Sequence, residues 1–239
     1  MSSPTRPPAP ATAQGGSRIV SVSLAFTAGF VDTLGFIALF SFFTAHVTGN
    51  FVLLGAALVQ PHHGIIAKLL ALPTFMAAVA GTRLYERALI RAGRNVPAHL
   101  LTFQFIFLVI FMALGIWATP LTEGDSPVAV MTALIGVVAM GIQNAASRTV
   151  YSSLSPTTVM TGNVTQLVID GVDLIAGVPD DTSASIRARM RRFWPPVVSF
   201  AGGAAAGALG YAKLGFPCVV VPAALVLGLA VHATRRSPK

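Results

Sequence analysis

Charged side chains are scarce in this sequence. They make up 10% of its 239 residues, against about 25% in an ordinary soluble domain. Acidic residues are the rarer sign, eight Asp and Glu against 16 Lys and Arg. With 54% hydrophobic residues gathered in long blocks rather than an amphipathic stripe, the chain reads as an integral membrane protein. Cysteine is almost missing too: Cys218 stands alone in an apolar run, which excludes an intrachain disulfide and a thiolate metal site. The five histidines are scattered apart from His62-His63 and lack metal-ligand spacing, so no metal and no cofactor are expected. The net charge of +8 does not indicate nucleic-acid binding, because the positive residues fall in short loops between apolar blocks and no soluble domain could carry it. Residues 1–19, rich in Pro, Ala, Ser and Thr, read as a disordered tail. They are not a signal peptide: the first apolar block is long, contains Asp32 and has no small-residue cleavage site after it.

The apolar blocks fall at about 20–40, 48–60, 65–89, 98–118, 127–147, 161–176, 194–214 and 216–233. Six reach the roughly 20 helical residues that a hydrocarbon core requires. The blocks at 48–60 and 161–176 are shorter and follow the segments 41–47 and 152–160, where Pro156 and a Ser/Thr cluster disfavour helix in the second. Charge decides between a crossing and a re-entrant reading for these two. If both are re-entrant and the N-terminus is cytoplasmic, all the basic residues except Lys68 and Lys213 lie inside, and Glu123 and Asp125 lie outside. If both cross, the cluster of Arg83, Arg87, Arg91 and Arg94 moves outside, against the orientation rule. The expected fold is therefore an all-α membrane protein with six transmembrane helices and two re-entrant half-helices. Its parts are a cytoplasmic tail (1–19), a first membrane repeat (20–118), a second repeat (127–233) and a cytoplasmic C-terminal tail (234–239).

Under that reading each half runs span, half-helix, span, span, and the halves are inverted copies. The residues support a duplication. Gly29-Phe30-Val31-Asp32 lines up with Gly141-Ile142-Gln143-Asn144, and each is followed after about 16 residues by Thr-Gly-Asn, at 48–50 and again at 161–163. Gly81 and Tyr85 match Gly207 and Tyr211, and Pro73 matches Pro196. Gly203 and Gly207 form a small-residue packing face, and Trp117 and Trp194 fall at span ends as interface anchors.

Backbone that is not helical survives at membrane depth only where it is buried in protein or faces water. The half-helices starting near Thr48 and Thr161 are thus expected to aim their free amide ends at a shared cavity, with Thr as cap, Gly allowing close backbone approach and Asn supplying an amide. Thr48, Gly49, Asn50, Thr161, Gly162, Asn163, Gln143 and Asn144 are the candidate substrate-binding residues. The opposing expectation is that Thr-Gly-Asn only caps and packs two helices. Asp32 lies mid-span without a nearby base, where a carboxylate is expensive unless paired, and His46 stands beside the cavity with a side chain able to titrate near neutrality. These two are the candidates for proton coupling. Asp32 and Asn144 are expected to face each other across the pseudo-axis. Asp170 and Asp173 lie toward the cytoplasmic end of the second half-helix, either solvated or meeting the nearby arginines.

The stretch from Gly29 through Phe43-Thr44-Ala45-His46-Val47-Thr48-Gly49-Asn50, together with Gly141 through Thr158-Val159-Met160-Thr161-Gly162-Asn163, resembles the YoaK-like family of small bacterial membrane proteins. The resemblance covers about residues 20–233 and implies a bacterial inner-membrane protein of this size. That family is known mainly as one of unknown function, so the resemblance carries over no substrate and no reacting residue.

The expected function is transport or channelling of a small polar or anionic solute, with proton coupling through Asp32 if substrate moves by alternating access. The partners are the lipid bilayer and that solute, and homo-oligomerisation stays open. An intramembrane enzyme is disfavoured: there is no His pair at i, i+4, no pair of acids in one span and no nucleophile with a base. A non-transporting scaffold or assembly factor is the alternative.

Overall fold

The computed structural model describes residues 11–59 and 63–235, and the calls on 1–10 and 236–239 lie outside these. It is an all-helical bundle: α1 (Ala11–Ala38), α2 (Gly49–Ala57), α3 (Ile65–Arg91), α4 (Val96–Ala118), α5 (Pro127–Arg148), α6 (Met160–Ala176), α7 (Asp180–Leu214) and, after a 3-10 turn at Phe216–Val219, α8 (Val220–Arg235). Six segments are long and apolar enough to cross a membrane: Arg18–Ala38, Ile65–Arg91, Val96–Ala118, Pro127–Arg148, Asp180–Leu214 and Phe216–Arg235. The nine residues of α2 and 17 of α6 give about 14 and 25 Å at 1.5 Å per residue, short of a core about 30 Å thick.

Two boundaries differ from the sequence reading. Helix α1 begins at Ala11, inside the segment expected to be a disordered tail. Helix α7 begins at Asp180 rather than near residue 194. Its first turns carry Asp180 and Asp181, whose charges suit a helix N-terminus, so Arg187, Arg189, Arg191 and Arg192 stand on helix instead of in a loop.

The tightest crossing joins α1 and α7, side by side and parallel. Arg18 stacks over Trp194 at 5.9 Å, and Ser199 Oγ donates to Val22 O at 2.8 Å. Farther along, Gly203 lies on the Phe26 carbonyl and Gly207 on the Phe30 carbonyl. A Cβ would come within 2.1 Å of the Phe200 oxygen at Gly29, within 2.1 Å of the Phe26 oxygen at Gly203 and within 2.4 Å of the Phe30 oxygen at Gly207. Only hydrogen at these positions lets the backbones approach this closely, the small-residue device of membrane helix pairs.

The remaining contacts follow one rule. Helix α1 packs on α7 as α5 packs on α3; α1 on α8 as α5 on α4; and α2 on α3 as α6 on α7. The pairs α1–α5 and α4–α8 are their own images. Exchanging the first four helices with the last four returns these pairs; α3 also packs on α4, whereas α7 meets the 3-10 turn at Phe216–Val219 instead of α8 itself. Gly141 of α5 meets Ala78 and Phe75 of α3, as its sequence counterpart Gly29 meets α7. Gly81 breaks the likeness, since a Cβ there would meet nothing within 4 Å, unlike at Gly207.

At one end of the bundle Phe40, Gly64 and Gly124 touch: a Cβ on Gly124 would sit 2.5 Å from Gly64 N and 2.9 Å from the Phe40 ring. The end of α1, the start of α3 and the α4–α5 connection therefore share one end. Phe40 and Ser41 adopt left-handed φ of 55° and 59°, a strained conformation for non-glycine residues. Lys68, 2% exposed, secures this reversal: its Nζ donates to Phe40 O at 2.8 Å, His63 O at 2.8 Å and Gly64 O at 3.4 Å. One turn nearby, Asp125 Oδ1 accepts from Ile66 N at 2.8 Å, capping α3.

Candidate functional site

Asp32 stands six residues before the end of α1, and the chain turns back beside it at 39–48. Its side chain is buried, 5% exposed. Oδ1 accepts from Ala45 N at 2.7 Å, His46 N at 3.3 Å and Thr44 Oγ1 at 3.4 Å. Oδ2 lies 2.6 Å from His46 Nδ1. One carboxylate thus organises three consecutive residues of the reversing segment. Thr44 is fully buried, its methyl lying against Gly35 of α1 and Gly136 of α5. The His46 ring is edge-on to Phe200 of α7 at 5.7 Å and to Phe43 at 6.3 Å. The sequence pair Asp32 and His46 is therefore brought together.

The second half builds a neutral version. Asn144 Nδ2 donates to Thr158 Oγ1 at 3.0 Å. Gln143 Nε2 donates to Thr157 Oγ1 at 3.1 Å and to Leu24 O of α1 at 2.8 Å, and its Oε1 accepts from Gln104 Nε2 of α4 at 2.7 Å. Gln143 and Gln104 are buried, so Gln143 joins four elements in the middle of the bundle. Asp32 and Asn144, expected to face each other, share no hydrogen bond among the described residues. Each binds the reversing segment of its own half, because each lies where the chain folds back beside it.

The Thr-Gly-Asn copies act differently from the expectation as well. Asn50, 1% exposed, accepts from Phe43 N at 3.0 Å and donates to Phe43 O at 2.9 Å. Asn163 donates to Pro156 O at 2.9 Å. Both asparagines clamp the residue seven places earlier, so their amides face protein backbone. Thr48 makes no capping bond, and the residue that precedes α6 is Val159, not Thr161. Thr48, Thr161 and Gly162 are exposed. A Cβ at Gly49 would meet the Phe43 ring at 2.9 Å, whereas at Gly162 it would meet nothing within 4 Å. The first amides of α2 are occupied too: Gly49 N donates to His46 O at 2.8 Å and Asn50 N to Val47 O at 3.1 Å. Helix α2 packs on α3 and α6 on α7, so each motif rests on a helix of its own. Beside α6 an open groove of 540 Å³ is lined by Met160, Thr161, Val164, Thr165, Val168 and Ile169.

Two charged residues gain roles. Asp170 is buried and accepts from Arg189 Nε at 2.8 Å, from Arg189 Nη2 and from Gln166 Nε2 at 2.8 Å. The Arg189 hydrogen bonds beside it hold its carboxyl below the ordinary carboxylate range, against the opposing effect of burial. Lys68 was missed by the sequence reading. Its signal was there: a lone cation at the start of an otherwise apolar block.

The chemistry of the Asp32–His46 pair is that of a fixed carboxylate orienting an imidazole. Among the described residues no group of three or more His, Cys, Asp or Glu is arranged to hold a metal ion.

Six apolar spans packed around a buried polar interior define a multi-pass membrane protein. The chain belongs to the family described as Protein of unknown function (DUF1275), whose model matches residues 20–232. It is 30% identical over 149 residues to the UPF0700 transmembrane protein YoaK of Bacillus subtilis (strain 168), a match that spans 62% of this chain and 64% of that protein. The YoaK-like resemblance read from the two motif regions is thereby shown. No solved structure matches.

Proposed function

We propose that this protein moves a small polar or anionic solute across a bacterial inner membrane, with proton coupling at the Asp32–His46 pair and without catalysing a reaction. The observation that carries the reading is an ionisable pair 2.6 Å apart, its carboxylate buried in the bundle, where the chain breaks ahead of a short helix. Ionisable residues at membrane depth are costly and mark ion or solute pathways.

The re-entrant reading of α2 is supported by the meeting of Phe40, Gly64 and Gly124, since the chain leaves and returns at one end of the bundle. The inverted-repeat reading is supported by the exchange rule among packed helix pairs and by the matched Asn50–Phe43 and Asn163–Pro156 clamps. A cytoplasmic C-terminus is supported by the positive residues near Asn95 and Ala233, which share one end through a 2.8 Å hydrogen bond.

One observation favours the scaffold reading: both motif asparagines and the first amides of α2 are satisfied within the protein. Reconstitution into liposomes holding a pH-sensitive dye separates the two. Small anions and polar solutes are supplied under an imposed proton gradient. Solute-dependent proton movement that saturates in the wild type and disappears in Asp32→Asn supports a coupled transporter. Solute flux that neither saturates nor follows the gradient indicates a channel. No flux of any solute with wild-type protein favours the scaffold, and flux unchanged in Asp32→Asn removes that residue from the mechanism.

A further inference from the structure

The Asp32–His46 pair is not symmetric in what it leaves available. Asp32 Oδ1 faces three donors, the Ala45 and His46 amides and the Thr44 hydroxyl. Backbone N–H groups cannot become acceptors, so a proton on that oxygen would point at donors and displace the 2.7 Å bond from Ala45 N. Oδ2 is directed at His46 Nδ1. The imidazole has a second nitrogen, and among the described residues Nε2 has no hydrogen-bond partner in the protein. His46 is also the open member of the pair, with a side chain 36% exposed against 6% for Asp32.

The geometry points to a division of labour: His46 takes up and releases the proton, at Nε2, while Asp32 stays ionised and holds the ring through Nδ1–H. The step is imidazole plus one proton giving imidazolium, with no other bond made or broken. Asp32 is then a positioning residue. Its carboxylate fixes the tautomer, as carboxylate partners of histidine do elsewhere, and stabilises the cation once formed. The groups facing the ring are Asp32 from α1, Phe200 from α7 and Phe43 from its own segment. Asp32 is the only charged group paired with it among the described residues. The aromatic neighbours offer no proton acceptor, so exchange must come through the exposed edge. The equivalent contact in the second half, Asn144 with Thr158, contains nothing that titrates. At this matched contact protonation is thus confined to the first half, and it takes the Asp32–His46 pair beside α7 from a net charge of −1 to neutral.

This deepens the proton-coupled reading above and rests on it for its physiological meaning, but its test does not use transport. The full chain, with histidine labelled by 15N, is placed in lipid nanodiscs and its ring nitrogens are followed by NMR between about pH 5 and 8. His46→Gln identifies the His46 signals among the five histidines. The expected result is a His46 whose Nδ1 carries hydrogen throughout, while Nε2 passes from the unprotonated to the protonated position as pH falls. An Nδ1 without hydrogen at the upper end, or an Nε2 that does not change across the range, overturns the assignment. Asp32→Asn should release the tautomer, giving mixed Nδ1 and Nε2 protonation. If that variant does not fold, the wild-type titration decides alone. Titration at Nε2 without solute movement in liposomes sinks the conduit reading and upholds this one; solute movement without titration does the reverse.

Discussion

The Asn50 amide closes a ring on the backbone of Phe43, accepting from its N–H at 3.0 Å and donating to its C=O at 2.9 Å. The matching Asn163 donates to Pro156 O at 2.9 Å, and proline has no N–H to return. The two clamps share a spacing and differ in strength for a covalent reason. Removing Asn50 strands two polar groups, and removing Asn163 strands one. With about 1–3 kcal/mol for each buried group left unpaired, Asn50→Ala should lower stability by more than Asn163→Ala. Thermal unfolding of the two variants in detergent measures this, and an inverted order would refute the clamp.

The glycines of the two motifs are not equivalent. A methyl at Gly49 runs into the Phe43 ring, whereas Gly162 faces open space. Gly162→Ala should be neutral or slightly stabilising, because alanine is the better helix former by about 1 kcal/mol. Gly49→Ala should shift the Phe43 ring and weaken the Asp32 site. Equal losses in both would restore the view that each motif needs glycine for backbone approach.

The parallel crossing of α1 and α7 rests on Gly29, Gly203 and Gly207. Alanine at any of them meets backbone oxygen within 2.4 Å, which no rotamer change relieves. Each substitution should destabilise by about 1–3 kcal/mol or more, the usual range for overpacking. Gly202→Ala, where a Cβ meets nothing within 4 Å, is the control. Melting temperatures that fail to separate these three from Gly202→Ala would contradict the crossing.

Asp170 ties α6 to α7 through Arg189, and that pairing depresses its carboxyl. For a group whose folded value lies below the unfolded one, the stabilisation is present above the unfolded value, about 3.9 for aspartate. It is lost as pH falls through the folded value. The wild type should therefore lose this contribution only below about pH 4. Asp170→Asn should be less stable at neutral pH, with a shallower acid dependence. Melting curves against pH for both proteins supply the comparison, and parallel curves would show that the pair contributes nothing.

The reversal held by Lys68 places His63 and Glu123 at the same end of the bundle. In a Cys218→Ala background, His63→Cys and Glu123→Cys should react with an impermeant thiol reagent from one side of the membrane. Arg91→Cys should react from the other. Labelling of His63→Cys from the same side as Arg18→Cys, at the start of the first span, would make α2 a full crossing.

The hydropathy of the sequence was enough for the membrane class and for the six spans, but not for where α1 and α7 begin. Hydrocarbon imposes its composition residue by residue, and a span needs no distant partner to be recognised. The likeness of Gly29 to Gly141, and of the two Thr-Gly-Asn copies, was also legible, since it lies in residue types and spacing alone. Who touches whom was not. Asp32 meets residues 44–46, and Asn144 meets Thr158 rather than Asp32, because the chain doubles back within each half before the halves come together. Lys68 becomes a hub only where α1 ends against α3, and the motif asparagines turn inward only once the reversing segments lie beside them. Local pattern selects helices; the path of the chain between them selects the contacts of every buried polar group.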